Sequence, residues 1–440
     1  AEATNPRFNF LAQKLYDHGR ARIANGLPKG PFTGVPWLLK DLNTHIAGER
    51  TGQGSRFYSD YRAPETSEIV RRHEAAGLVI FGKTTTPEFG LSATTESRAT
   101  GATRNPRNPD HIAGGSSGGA AAAIAAGVLP AAHATDGGGS IRIPASCCGL
   151  FGFKPSRGRV PMGPPRTEGW GGLSVHHAIT RSVRDSAALL DATHGLELGS
   201  RYGAPAPVEG FLAQVTKRPG RLKIALILAP PGGTAVDPEC IAAARAAARL
   251  CEDLGHIVEE AAPRLDEAAI GQASFVLIAS SVAADIEDRA KRIAVEPSTE
   301  MLEAVTLMFH AMGRQTSGMD FVRANNVMQA AAIDMARFMG GYDVILSPTL
   351  AAPPVRIGLL GLSPDTDMAA WGKAVAEFSP FTGVYNATGQ PSMSVPLGMS
   401  AAGLPIGVMF SARYGEEATL FRLAGQIERA APWAETRIGP

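Results

Sequence analysis

The chain is poor in cysteine, in net charge and in long apolar runs, and each shortage closes off a class of function. Its 440 residues hold four cysteines. These are Cys147, Cys148, Cys240 and Cys251, and their spacing fits neither a metal-ligand pattern nor a disulfide framework. The expectations are a reducing, cytoplasmic compartment, no metal and no other cofactor. Lys and Arg number 42 against 41 Asp and Glu, a formal net charge of +1. No basic field is therefore available to draw nucleic acid or an anionic membrane. No basic segment leading into an apolar one opens the chain, so no signal peptide is visible. The longest apolar stretch, Ala120 to Ala134, is too short to span a bilayer. It reads as an Ala-rich helix buried on all sides. Repeats, low-complexity linkers and charged tails are missing as well.

What is there describes a globular protein of ordinary composition, 44% hydrophobic and 19% charged. The 50 glycines and 32 prolines are interleaved with apolar runs, which predicts tight turns instead of disorder. Thr66 to Ala76 places Ile69, Val70, His73 and Ala76 on one helical face and stops at Gly77. Leu78 to Phe81 then reads as a buried strand. Lys223 to Leu228 predicts another, followed by a helix with Asp237 as N-cap, Pro238 at its first position and Gly255 past its end. "YDVILSPT", "SMSVPLG" and "LPIGVMF" predict further strands, and Ala418 to Ala430 a closing helix. This alternation predicts an α/β fold, a large sheet covered by helices on both faces. Residues 1–440 read as one domain, with about 200–340 an extension built on the same sheet.

Two short patterns mislead. Gly77, Gly82, Lys83 and Thr84 fill G-x-x-x-x-G-K-[ST], yet the four intervening residues are the strand Leu78 to Phe81. A strand points its N–H groups alternately outward and cannot form the nest that cradles phosphates. "GGSSG" at Gly114 to Gly118 fits the nucleophile elbow G-x-S-x-G, but its lead-in "RNPRNPDHIAGG" is polar and Pro-containing where an apolar strand is needed.

"HATDGGGSIRIPAS" (His133 to Ser146) is more informative. Gly137, Gly138 and Gly139 lead directly into Ser140, and glycine permits backbone conformations that turn several N–H groups toward one point. Such a group beside a hydroxyl is how an oxyanion hole serves an acyl-transfer nucleophile. A glycine triplet also suits a plain flexible turn. The second Ser-Gly cluster at Ser116 and the lysine in "GVPWLLKDL" weigh against that. Together with "GLVIFGKTTTPEFG" (Gly77 to Gly90), "GATRNPRNPDHIAGGSSGGAAAAIAAG" (Gly101 to Gly127), "TDGGGSIRIPASCCGLFGFKPSRGRV" (Thr135 to Val160), "NATGQPSMSVPLG" and "GLPIGVMF", these segments identify a resemblance to the amidase signature family over nearly the whole chain. The resemblance implies that family's fold, a single large mixed β-sheet covered by helices on both faces, with the signature core at about 30–190.

The resemblance implies a Ser–Ser–Lys triad: Ser140 as nucleophile, Ser116 as bridging serine after a cis Gly115–Ser116 peptide, and Lys40 as base. It also implies an oxyanion hole from the N–H groups of Gly137, Gly138, Gly139 and Ser140. The chemistry agrees. A serine hydroxyl needs a base to take its proton, and lysine can serve only if burial keeps it neutral. Lys40 follows the apolar "VPWLL", although beside Asp41 it would otherwise read as a surface lysine. Asp136 and Arg142 are expected to pair and hold the glycine loop, and Lys83 is a candidate neighbouring cation. His176 and His177 are expected on a loop without a catalytic role. Two departures stand out: Thr85, where the family commonly has Asn, and Gly137, where it commonly has a larger residue. Relatives also carry helices ahead of the segment that opens this chain, so a trimmed N-terminus is expected.

Within the family, "KTTTPEFGLSATTES", "SIRIPASCCGLFGFKPSRGRV" and "GQPSMSVPLGMSAAGLPIGV" are most similar to the branch of 6-aminohexanoate cyclic dimer hydrolases, aryl acylamidases and urethanases. The resemblance implies an amidohydrolase that cleaves small hydrophobic or aromatic linear amides, extending to carbamates (urethanes), through an acyl-enzyme on Ser140. A glutamine amidotransferase subunit working with partner subunits is the alternative, and a binding protein on an inactive scaffold a third. The partner expected is a small-molecule amide or carbamate, with neither nucleic acid nor membrane, and a homodimer is left open. "MLEAVTLMFHAM" (Met301 to Met312) and "WGKAVAEFSPFTGVY" read first as core, with an apolar acyl or aryl pocket as the other use.

Overall fold

The computed structural model describes residues 1–230, 232–363 and 365–433. Among them an eight-stranded mixed sheet runs in the order Ile257–Glu260, Lys223–Leu226, Val344–Pro348, Pro405–Ala412, Ser392–Met399, Phe151–Lys154, Val175–Thr180, Ala131–Asp136. The first three strands are parallel, and every later neighbour is antiparallel. Helices pack on both faces, and the central strands are buried on both sides, as a sheet covered in this way requires, while the edge strand Ile257–Glu260 is partly exposed. Strands Lys223–Leu226 and Ile257–Glu260, from the 200–340 segment, join this same sheet.

Local chemistry accounts for the elements that position the site. Helix Pro238–Asp253 starts on Asp237, whose carboxylate accepts the Glu239 N–H at 2.8 Å, with Pro238 at a position where no N–H is missed. Its buried face is Cys240, Ala243, Ala244, Ala247, Ala248 and Cys251, spaced as one helical stripe. Gly255 follows at φ +92°, a conformation glycine adopts without strain. The expected helix at Ala120–Ala134 is instead two elements, helix Gly118–Ala125 and strand Ala131–Asp136. Gly127 at φ +79° ends the helix, and Pro130 bars its continuation. The "HH" of "GWGGLSVHH" is likewise no loop: His176 and His177 are buried in strand Val175–Thr180, paired antiparallel to Ala131–Asp136. That pairing outweighs the local glycine signal.

A second, three-stranded sheet places Val79–Thr84 between Leu11–Lys14 and Pro36–Lys40. Gly82, Lys83 and Thr84 therefore lie inside a strand and form no phosphate nest. Pro36–Lys40 is an edge strand, and its outer side abuts strand Ala131–Asp136, the edge of the large sheet. The seam between the two sheets ends at Lys40.

Helix Glu267–Ile293 is long and apolar enough by composition to cross a membrane. Its apolar positions are used in two packing clusters instead, Ile270, Ala273 and Leu277 against helix Gly318–Met339, and Ala279, Val282 and Ile286 against helix Ala304–Gln315. Helix Ala304–Gln315 approaches most closely at Gly313, where a Cβ would fall 2.2 Å from the Ala279 carbonyl oxygen and 2.5 Å from the Ala283 Cβ. Alanine gains about 1 kcal/mol in helix propensity over glycine, but separating two packed backbones costs about 1–3 kcal/mol. Gly313→Ala should therefore lower the urea midpoint of unfolding without changing the slope; an unchanged midpoint would contradict this close approach.

Candidate active site

Lys40 is wholly buried, and its Nζ donates to Ser116 Oγ at 2.7 Å and Thr135 Oγ1 at 2.9 Å. Burial drives its amine well below the ordinary lysine range, and the negative charge of Asp136 only partly restores it. Ser116 follows a cis Gly115–Ser116 peptide and stands just ahead of helix Gly118–Ala125. The strand before it, Asn108–Ile112, pairs with Arg104–Asn105 in a separate ribbon and bridges Arg356 through His111, so this is not the elbow of a central sheet. Gly115 is required by close approach: a Cβ there would sit 2.6 Å from the Ser92 carbonyl oxygen and the Thr94 nitrogen.

Strand Ala131–Asp136 runs into the glycine loop, and Asp136 organises it. Its carboxylate accepts the Gly139 N–H at 2.8 Å, the Ile141 N–H at 3.1 Å, and Arg142 through Nε at 3.0 Å and Nη2 at 2.9 Å. Asn386 donates to it as well, at 2.9 Å. Burial alone would raise this carboxyl, but the Arg142 guanidinium overrides it and holds Asp136 far below the usual range. The other side of the loop is tied by Thr382, whose hydroxyl donates to the Gly138 carbonyl at 2.6 Å. Of the four oxyanion donors expected, Gly139 is a correction. Its N–H is spent on Asp136. Gly138 is exposed at the loop's tip.

Ser116, Thr135, Gly137 and Ser140 line one cavity of about 30 Å³, walled by Leu42, Met162 and Trp170 with Arg166 and Glu168 at its side. It adjoins a polar chamber of about 210 Å³ with which it shares Asn43 and Arg166. At the boundary Arg166 forms a bidentate pair with Asp285, at 2.9 and 2.8 Å. The segment Met301–Met312 does not border this cavity. Leu302, Val305 and Phe309 pack in a core with Phe57, Phe89 and Trp371, so the first reading of these residues stands and the apolar wall comes from elsewhere.

The structure thus brings Lys40, Ser116 and Ser140 to one place. Lys83 it does not. That amine is buried and spends its hydrogens on the Thr44 and Arg50 carbonyls and the Thr51 hydroxyl, at 3.0, 2.7 and 2.8 Å. Sequence reasoning missed Thr135, Thr382, Asn386 and Trp170. Thr135 carried a signal, since it alternates with Asp136 at the end of a strand whose next residues form the loop. The other three reach the site from distant segments and carried none.

Known proteins are similar to this chain over nearly its whole length. A family model described as Amidase matches residues 5–421. The 6-aminohexanoate-cyclic-dimer hydrolase of Paenarthrobacter ureafaciens is 38% identical over 451 aligned residues, covering 99% of this chain and 90% of that one. A solved structure of a 6-aminohexanoate cyclic dimer hydrolase with substrate superposes with a TM-score of 0.93 at 36% identity, covering 99% and 92%. A bacterial aryl acylamidase of the amidase signature enzymes superposes at 0.89 with 30% identity, covering 99% and 91%.

Around the site lie five buried or nearly buried histidines whose protonation burial disfavours. Burial pushes His73, His176 and His177 down to about 3, His45 to about 4, and His133 well below its ordinary range. In the unfolded chain all five take up protons below about pH 6.5, whereas the folded protein resists until far lower pH. Their contribution to stability is therefore full above about pH 6.5 and is lost as pH falls from there. Glu303, raised to about 7 by burial and by Glu88, opposes this, as do the raised carboxyls of Asp41, Glu88, Glu267 and Glu428, while His111, His194 and His256, lowered by burial, act with the five. The melting temperature should fall steadily between about pH 7 and pH 5; calorimetry showing a flat or rising trend would refute it.

Proposed function

The chain belongs to the amidase signature family and hydrolyses amides, and from that premise we propose that it does so through an acyl-enzyme on Ser140, with Ser116 as proton relay and Lys40 as base. The observation that carries this reading is the buried 2.7 Å contact of Lys40 Nζ with Ser116 Oγ beside the cavity that Ser116 and Ser140 share. A neutral amine has two N–H groups and one lone pair. It can keep donating to Thr135 while its lone pair takes the Ser116 proton. Ser116 in turn takes the Ser140 proton as Ser140 Oγ bonds to the substrate carbonyl carbon. The oxygen of the tetrahedral intermediate meets N–H groups of Gly137, Gly138 and Ser140. When the C–N bond breaks, the proton returns through Ser116 to the leaving nitrogen. Water then repeats the sequence on the acyl ester and frees Ser140.

Substrate class follows from the wall. Leu42, Met162 and Trp170 offer apolar and aromatic surface next to the nucleophile, which favours small hydrophobic or aromatic amides. Burying an aryl group there is worth on the order of 2 kcal/mol. A carbamate presents the same carbonyl geometry, so low-molecular-weight urethanes of aromatic amines fit the same chemistry. The compartment read from the free thiols, the cytoplasm, suits such small diffusible substrates.

Two experiments test these assignments. Ser140→Ala should abolish fluorophosphonate labelling and turnover in a folded protein, and Lys40→Met should cost on the order of 10⁴- to 10⁶-fold in kcat. Because burial keeps Lys40 unprotonated, parent activity should rise with pH and stay high under mildly alkaline conditions. Labelling lost in Ser116→Ala but kept in Ser140→Ala would transfer the nucleophile to Ser116. For substrate class, a p-nitroanilide, an aryl carbamate and glutamine are compared side by side. The first two should be cleaved and glutamine should be poor; the reverse order would favour a glutamine amidotransferase subunit.

A further inference from the structure

We infer that His133 and His176 form a neutral imidazole clamp that positions Lys40 for proton transfer. The inference rests on the reading of Lys40 as base. Its starting point is the seam between the two sheets. Strand Pro36–Lys40 is an edge, so the outward N–H of Lys40 has no strand partner; it donates to His133 Nδ1 at 3.2 Å. His133 and Thr135 lie two apart on strand Ala131–Asp136 and share a face. The main chain of Lys40 is thus held by His133, and its Nζ by Thr135 at 2.9 Å. One strand face grips the residue at both ends.

The hydrogen bonds leave the protons no choice. A main-chain N–H can only donate, so His133 Nδ1 must be the bare acceptor and its proton sits on Nε2. Nε2 faces His176 Nδ1 at 2.9 Å, so it donates there and the His176 proton sits on Nε2 in turn. His176 Nε2 is buried with no partner among the described residues. A buried donor without an acceptor is unusual and asks for a reason. An aliphatic side chain in place of His176 would remove that defect but would leave the His133 Nε2–H without an acceptor, and one in place of His133 would leave the Lys40 N–H unbonded. A second proton on His133 would have to sit on Nδ1 and would eject Lys40. The clamp therefore works only while both rings are neutral. Burial disfavours an added proton on either ring, and any charge gained by His176, His73, Lys40 or His177 around His133, or by Lys40 or His45 around His176, would disfavour it further. The His73 ring packs 5.7 Å from that of His133 and 5.1 Å from Trp37, closing the seam to water.

The test compares His133→Leu, His133→Asn and His133→Gln with the parent, reading kcat and KM for a p-nitroanilide across pH. In His133→Leu, kcat should fall about 10- to 100-fold with KM near the parent's, since misplacing a reacting group by about 1 Å costs that much. The acid limb should move to higher pH, because a looser and wetter Lys40 regains its proton. In His133→Asn the Oδ1 takes the place of Nδ1, and the limb should return to the parent's position. A folded His133→Leu with the parent's kcat and limb overturns the clamp, and so does His133→Asn behaving like His133→Leu. Should His133→Leu not fold, Asn against Gln decides, because Gln reaches toward His176 but offers the Lys40 N–H no acceptor; identical limbs overturn the proposal. Lys40→Met is run alongside. If it retains amide hydrolysis, the base assignment fails; if it is inactive while His133→Leu is normal, only the clamp does.

Discussion

The buried pair of Asp136 and Arg142 is the interaction on which the rest of the site depends. Both side chains are completely removed from solvent, 2.9 Å apart. Such a pair adds little net stability when compared with an apolar substitute, but losing one partner typically costs about 3–5 kcal/mol because the other charge is stranded. Its value here is geometric. One carboxylate gathers the Gly139 and Ile141 N–H groups, and the guanidinium that neutralises it also donates to the Thr382 carbonyl at 2.9 Å. Thr382 then closes on Gly138 from the outside. The glycine loop, free by composition, is held from both sides by groups that have no freedom left. The same neutralisation matters to Lys40. Asp136 is the charge that would favour an ammonium there, and Arg142 offsets it, so burial prevails and the amine can act as a base.

How much of this was legible in the sequence depended on whether the cause was local. Helix Pro238–Asp253 was readable at both ends because its cap, its proline and its terminal glycine are all neighbours in the chain. Lys40, Ser116 and Ser140 were readable because each sits in a motif of its own, although nothing in the spacing says that the three meet. The alanine-rich run failed as a single helix because alanine is tolerated in helices and strands alike when both are buried. One glycine in a left-handed conformation and one proline decide the break. His176 and His177 failed for the opposite reason. Their glycine-rich lead-in suggests a loop, and only the register of Val175–Thr180 against Ala131–Asp136 makes them strand. Thr382 and Asn386 were invisible, arriving at Asp136 and Gly138 from more than 240 positions away.

Gly137 shows how one departure in sequence can have a partner that sequence does not reveal. A Cβ at that position would fall 2.7 Å from the ring of Trp170, so the small residue and the indole are one structural feature. Trp170 itself is held at φ +52°, followed by Gly171 at +61° and Gly172 at +88°. Three successive left-handed residues are tolerable only because two are glycine. That turn swings the indole over the glycine loop and makes it a wall of the cavity.

On the proposed reading, the chemistry and the selectivity are carried largely by different parts of the chain. Lys40, Thr135 and Asp136 lie in strands, and Ser116 and Arg142 at helix starts, all buried and bonded to fixed partners. Apart from Leu42, the wall is built from Met162 to Ser174, a segment of turns and a short 3₁₀ helix. A change in the wall can alter which acyl or aryl group fits without disturbing the proton path, because the two meet at few points. Gly137 is the closest of them. A side chain there would have to displace Trp170 on one side or the loop on the other, and the loop is the part that Asp136 and Thr382 do not allow to move.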